Sequence, residues 1–265
     1  MIKKYTSKLR KYFLYLRVSF FYINNRNIEL GNHNFINIDF TNYKKIKNLL
    51  LKESLEIKKN QIEIHTFDFL NFTKKIGGKR GIELSKKTIF KWHKLYKYKL
   101  NYYWNGFFTA KRLINILYNF DYINSLSSKI EDALIFKIII LNFKLLNFEF
   151  KLKTLEDITS SEIKAIILSN LIIGKLNNDI TNKIEQVFKS HVDTMGVHKS
   201  YNFLEQTKYI NDLIEIKNIF LFFKVEPPTD LEFLILRMTS ILNAYFHKDG
   251  SLALFNGCNN NYIVE

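Results

Sequence analysis

The sequence predicts a mainly α-helical protein built from antiparallel helix pairs, and three observations predict it. From residue 68 onward, apolar side chains recur at helical spacing almost without relief. Breaks at glycine, asparagine or proline arrive roughly every 20 to 30 residues, a helix-turn-helix rhythm that carries no TPR-like or HEAT-like repeat. Four positions place Ser, Thr or Asn three residues ahead of Glu, the spacing of a helix-capping box: Ser128 and Glu131, Thr159 and Glu162, Asn202 and Glu205, Thr229 and Glu232. At 265 residues, 47% hydrophobic and 15% aromatic, the chain can bury the core of one large helical domain or two small ones. That composition excludes a wholly disordered chain.

Taken in order, residues 1–22 read as a basic amphipathic helix. Leu9, Tyr12, Phe13, Leu16 and Phe20 share one face, with Lys8, Lys11 and Arg17 largely off it. Residues 24–40, punctuated by Asn and Gly, read as loop with a short strand, and 41–53 return to helical spacing. Residues 62–67 (IEIHTF) alternate like a small strand. A short helix over 68–75 stops at Gly77-Gly78, and the next runs over 81–100 with Trp92 and His93. His65 and His93 read as helix-entry and helix-surface residues. The YYWNGFF turn leads to a helix over 109–120 with Leu113, Leu117 and Phe120 on one face.

Ser128 opens a long helix to about 148, Thr159 opens one that Gly174 ends, and 177–189 form a shorter amphipathic helix. Asn202 opens a helix to about 223, whose core stripe is Phe203, Ile210, Leu213, Ile214 and Phe220. Pro227-Pro228 breaks it. Thr229 starts the last, with Leu231, Leu234, Met238, Ile241, Leu242 and Tyr245 inward. The tail SLALFNG alternates like a strand without an obvious partner in the chain.

The net charge of +15 suggests a polyanionic partner: nucleic acid, an anionic membrane surface or an acidic polysaccharide. The excess is almost all lysine, accompanied by abundant Ile and Asn, which an AT-rich genome produces by default. Charge alone therefore does not choose. The single cysteine, Cys258, excludes an intrachain disulfide and reads as a spectator thiol. No apolar run reaches a membrane span of about 18 residues; residues 133–146 come closest, interrupted by Lys137, Asn142 and Lys144. The basic start lacks a cleavage site, so a cytoplasmic protein is expected, with peripheral membrane association through residues 1–22 as the alternative.

Several short matches then occur in order: HTFDFLNF (65–72), Trp92 and Trp104, FTAKRLINIL (108–117), the Pro227-Pro228 turn, RMTSILNAYF, and HKDGSLALFNG (247–257). Together they resemble the heparinase II/III-like family of bacterial proteins. The resemblance implies an (α/α) toroid over residues 61–250, preceded by a basic segment over 1–60. Residues 251–265 would lead toward a β-sandwich domain that the chain does not contain, supplied if at all by a partner chain. It further implies an acidic, uronic-acid polysaccharide as ligand, cleaved by β-elimination where the protein is active.

That reaction needs a donor to offset the sugar carboxylate, a base for the C5 proton and an acid for the leaving oxygen. The loop VDTMGVHKSYN (192–202) is similar to a family loop of approximate pattern D-G-G-H-x-x-R-N-P. Asp193 matches. Thr194-Met195 replace the glycines, Gly196 stands where the histidine would be, Lys199 replaces the arginine and Tyr201 the proline. The resemblance makes His198 and Tyr201 the candidate catalytic residues, and Trp104, Arg112, Lys199 and Asn202 the candidate substrate-binding residues. The bland alternatives are that Trp104 is core at a helix entry, that Asp193 and Asn202 serve turn and cap, and that His198 is an exposed loop histidine.

No P-loop, dinucleotide fingerprint, zinc-protease or nucleophile-elbow motif occurs, so no cofactor is expected. Gly77-Gly78-Lys79-Arg80-Gly81 could meet a phosphate, but reads more simply as an inter-helix turn. The rival functional reading is a non-catalytic basic helical scaffold that holds an anionic glycan, nucleic acid or membrane surface.

Overall fold

The computed structural model describes residues 62–97 and 102–245, and every regular element among them is helical. In order these are α1 (Ile62–Thr66), α2 (Phe69–Ile76), α3 (Gly78–Tyr96), a 3-10 turn (Tyr102–Trp104), α4 (Gly106–Tyr118) and α5 (Phe120–Asn124). There follow α6 (Lys129–Leu152), α7 (Ser160–Ile173), α8 (Asn178–His191), α9 (Phe203–Phe222) and α10 (Thr229–Ala244). No helix among the described residues is long and apolar enough to cross a membrane. The segments expected as a basic helix (1–22), a loop with a short strand (24–40) and a helix (41–53), and the tail from His247 through Cys258, lie outside the described residues. The chain divides into two compact units, Met1–Leu152 and Lys153–Glu265.

In the first unit α4 packs along α6, α2 against α3, and α1 against α4. The α2–α3 hairpin closes tightly for a local reason. A Cβ on Gly81 would lie 2.4 Å from the Thr73 carbonyl oxygen and 2.3 Å from the Tyr122 hydroxyl oxygen, so only glycine permits that approach. Tyr122 donates to the same carbonyl at 2.6 Å, and Ser85 Oγ donates to Thr73 Oγ1 at 2.6 Å.

Residues 62–66 form a helix where alternation predicts a strand. The alternation does not separate a wet face from a dry one, because Glu63, Ile64, His65 and Thr66 are all buried. The helix ends at Phe67, whose φ is 65°. Its terminal carbonyls are met by side chains of α4: Arg112 Nη1 donates to the His65 carbonyl at 2.9 Å, and Asn115 Nδ2 donates to the Thr66 carbonyl at 2.9 Å.

Arg112 and Trp104, expected at a substrate surface, are core residues instead. Arg112 is 0% and Trp104 1% exposed. The guanidinium sits over the rings of Trp92 and Trp104, at 4.4 and 4.7 Å from their centroids. Its other donors reach Asn142 Oδ1, the Tyr103 carbonyl and Thr109 Oγ1. Burial pulls its pKa down to about 9, against the opposing pull of Glu149, so it remains a cation at neutral pH. Trp104 Nε1 donates to the Tyr96 carbonyl at 3.0 Å. A buried cation with its donors satisfied organises the core and has no face left for a ligand. His93, expected on a helix surface, is buried as well, and desolvation with Lys97 and Lys137 lowers its pKa to about 4.

In the second unit α9 packs on α7 and α10. Residues Ser161–Asn170 of α7 are all buried, charged Lys164 among them. Burial alone would lower the Lys164 pKa; Asp212, at 2.8 Å, and Glu215 outweigh it and hold the ammonium above its ordinary value.

The capping signals have three outcomes. Ser128–Glu131 and Thr159–Glu162 close full reciprocal boxes, and Gly174 ends α7 in the left-handed region. Asn202 caps α9 alone, accepting from the backbone N–H of Leu204 and Glu205. Thr229 forms no cap: Pro228 occupies the cap position, and Glu232 pairs with Lys217 at 2.6 Å instead. The expected stripe of α9 holds except at Ile214, which is 40% exposed.

Candidate functional site

The loop between α8 and α9 gathers four of the six expected site residues: His198, Lys199, Tyr201 and Asn202. Its shape follows from the sequence. Asp193 Oδ1 accepts the backbone N–H groups of Met195 and Val197, both at 2.9 Å, which turns the chain. Asp193 N–H donates to the Val197 carbonyl at 2.9 Å and Lys199 N–H to the His191 carbonyl at 2.8 Å, closing an antiparallel bridge between Val192 and His198. Gly196 sits at the tip with φ +95°, and a Cβ there would lie 3.0 Å from the Arg237 carbonyl carbon. Glycine at this position is thus required by the turn and by the close approach of α10.

Gln206 grips this loop. Its Oε1 accepts the His198 N–H at 2.7 Å, while its Nε2 donates to the carbonyls of Gly196 and Met238, both at 3.0 Å. The side chain is 1% exposed. Arg237 adds an outer contact from Nη1 to the Thr194 carbonyl at 3.2 Å.

His198 is half-buried. One side of its ring packs on His191 and Tyr209, with centroids 6.0 and 5.1 Å away. Its Nδ1 accepts the Ser200 N–H at 3.2 Å and lies 2.8 Å from Ser200 Oγ. The proton of the neutral ring therefore resides on Nε2. Burial, then the nearby His191, lowers its pKa against the opposing Glu205. At neutral pH His198 is an uncharged imidazole offering an Nε2–H donor. His191 is lowered too, first by burial, and its Nδ1 has no hydrogen-bond partner among the described residues, nor has the buried Tyr209 hydroxyl.

Lys199 and Tyr201 are exposed, Tyr201 at φ +51° with its N–H bonded to the His198 carbonyl. Asn202 spends its side-chain oxygen on the cap of α9. The loop thus presents an imidazole donor, an ammonium and a phenol on one braced turn. Beside it, α8 and α10 enclose a cleft of about 530 Å³ with Phe188, Val192 and Leu234 on its floor, Phe233 at its wall and the Lys189–Asp230 ion pair on its rim.

No family model, curated protein or solved structure matches the chain.

Trp104 and Arg112 do not join this loop, since both are core residues of the first unit. Among the described residues no group of three or more His, Cys, Asp and Glu side chains is placed to hold a metal ion. Gln206 is the residue that the sequence reading misses. Its signal is a polar side chain on the apolar spacing Phe203, Gln206, Ile210, Leu213, where a buried amide must have backbone partners.

Proposed function

We propose that this chain is a helical binding protein for acidic, uronate-bearing polysaccharide, of the heparinase II/III-like type. Its contact loop is 198–201, and β-elimination is its activity where a second domain or partner chain completes the catalytic set. The observation that carries this reading is the braced turn itself: His198, Lys199 and Tyr201 lie within four residues of one another on a loop held by the buried Gln206. An ammonium and an imidazole N–H are the donors that a sugar carboxylate or glycosidic oxygen accepts. Preorganisation of the turn lowers the entropy lost when a flexible polymer is bound. Trp104 and Arg112 play no part in contact, and Asn202 acts through the cap.

The test pairs binding with turnover across a panel of uronate polysaccharides. Lys199→Ala is expected to weaken binding about fivefold, equivalent to ~1 kcal/mol for one exposed charged contact. An absorbance rise from unsaturated product, abolished in Tyr201→Phe and His198→Ala, is the expected sign of turnover once the completing domain is present. Unchanged affinity in Lys199→Ala would remove the loop from the binding site.

A further inference from the structure

The cationic charge is not spread along the chain. Residues 1–152 contain 29 Lys and Arg against 11 Asp and Glu, a net of +18; residues 153–265 contain 11 against 14, a net of −3. A genomic bias toward lysine codons would load both halves alike. Both units pair some of their lysines with carboxylates, Lys79 with Glu83 and Lys86 with Glu131 in the first. In the second, Lys153, Lys164, Lys189, Lys208 and Lys217 each pair with a carboxylate. In the first, α3 carries Arg80, Lys87, Lys91 and Lys94 at spacings i, i+7, i+11 and i+14.

At 3.6 residues per turn those four positions fall within about 60° of arc and span about 21 Å of helix. They lie opposite the face that buries Ile82, Ser85, Ile89, Trp92 and Tyr96. Arg80, Lys87 and Lys94 are exposed with no carboxylate in ion-pair distance among the described residues, while Glu83, on the flank of the stripe, is engaged by Lys79. No aromatic ring on α3 is exposed, so the stripe lacks the stacking platform that single-stranded bases need.

We infer that the outer face of α3 is a track for acidic polysaccharide, gripping the polymer by its charge. This rests on the polysaccharide reading above. Widely spaced cations along one straight helix suit a linear polymer with intermittent carboxylates or sulfates, held without base readout.

The experiment measures affinity of the full chain for polygalacturonate, heparin and a DNA duplex as a function of salt. It compares the parent with Arg80→Gln/Lys87→Gln/Lys94→Gln and with a control bearing Lys175→Gln/Lys208→Gln/Lys224→Gln in the second unit. All substituted positions are exposed, and helical circular dichroism checks the fold. The stripe variant is expected to lose at least tenfold in glycan affinity at low salt, with the log–log salt slope reduced by about 2 to 3, and the control to bind as the parent does. Glycan binding that survives in the stripe variant, or falls equally in the control, overturns the track while leaving the polysaccharide reading intact. Binding of the parent to duplex DNA but to neither glycan overturns both.

Discussion

Gln206 decides the shape of the candidate site without touching its surface. Its amide satisfies one backbone donor and two backbone carbonyls from the loop and from α10. In Gln206→Ala those three groups remain while their partner is lost, and each buried unsatisfied group costs about 1–3 kcal/mol. Urea unfolding is expected to show a loss of about 3 kcal/mol, the lower figures applying where water reaches the loop. His93 gives a second expectation. Its pKa falls from 6.5 unfolded to about 4 folded, so the folded state favours the neutral ring. Its contribution is complete above pH 6.5 and is lost as pH falls from 6.5 through 4. His93→Gln should therefore shrink the stability lost between pH 6.5 and 4.5 by ~2 kcal/mol, measured as the difference between urea midpoints at the two pH values. The sequence signals the burial of Gln206 through its place on the apolar spacing Phe203, Ile210 and Leu213, but not the partners of either residue. Those partners depend on which neighbours the fold brings over a polar residue, and single-residue chemistry carries no record of that.

Among the elements, the α2–α3 hairpin is the least tolerant of change. Gly81→Ala would drive a methyl group into the Thr73 carbonyl, which is backbone and cannot rotate away. A loss of about 3 kcal/mol is expected from thermal or urea unfolding, and Lys79→Ala nearby, at an exposed position, should cost almost nothing. Helix ends are legible in the sequence where local chemistry fixes them: Thr159 with Glu162, Ser128 with Glu131, and Gly174 are each closed by bonds within four residues. They are not legible where a distant partner decides. Residues 62–66 are helical because Arg112 and Asn115 cap them from almost fifty residues away. Thr229 is no cap because Pro228 already sets the entry to α10 and Glu232 finds Lys217.

For the whole molecule, the mainly α class was visible in periodicity, while the division near residue 152 was not, since no Pro, Gly or Ser cluster marks it. The same division gives the charge its meaning. A net of +18 in residues 1–152 beside −3 in 153–265 puts the whole cationic surplus in one unit, while the braced loop belongs to the other. Candidate residues fared according to their surroundings: the loop residues are local and stayed together, whereas Trp104 and Arg112 were drawn into the core by each other and by Trp92. The most direct measurement is a titration of the full chain with polygalacturonate, alongside a neutral polysaccharide of equal length, at low and high salt. Saturable binding to the acidic polymer alone, weakening as salt rises, is the predicted result. Equal binding to both polymers, or none to either, would contradict the proposal.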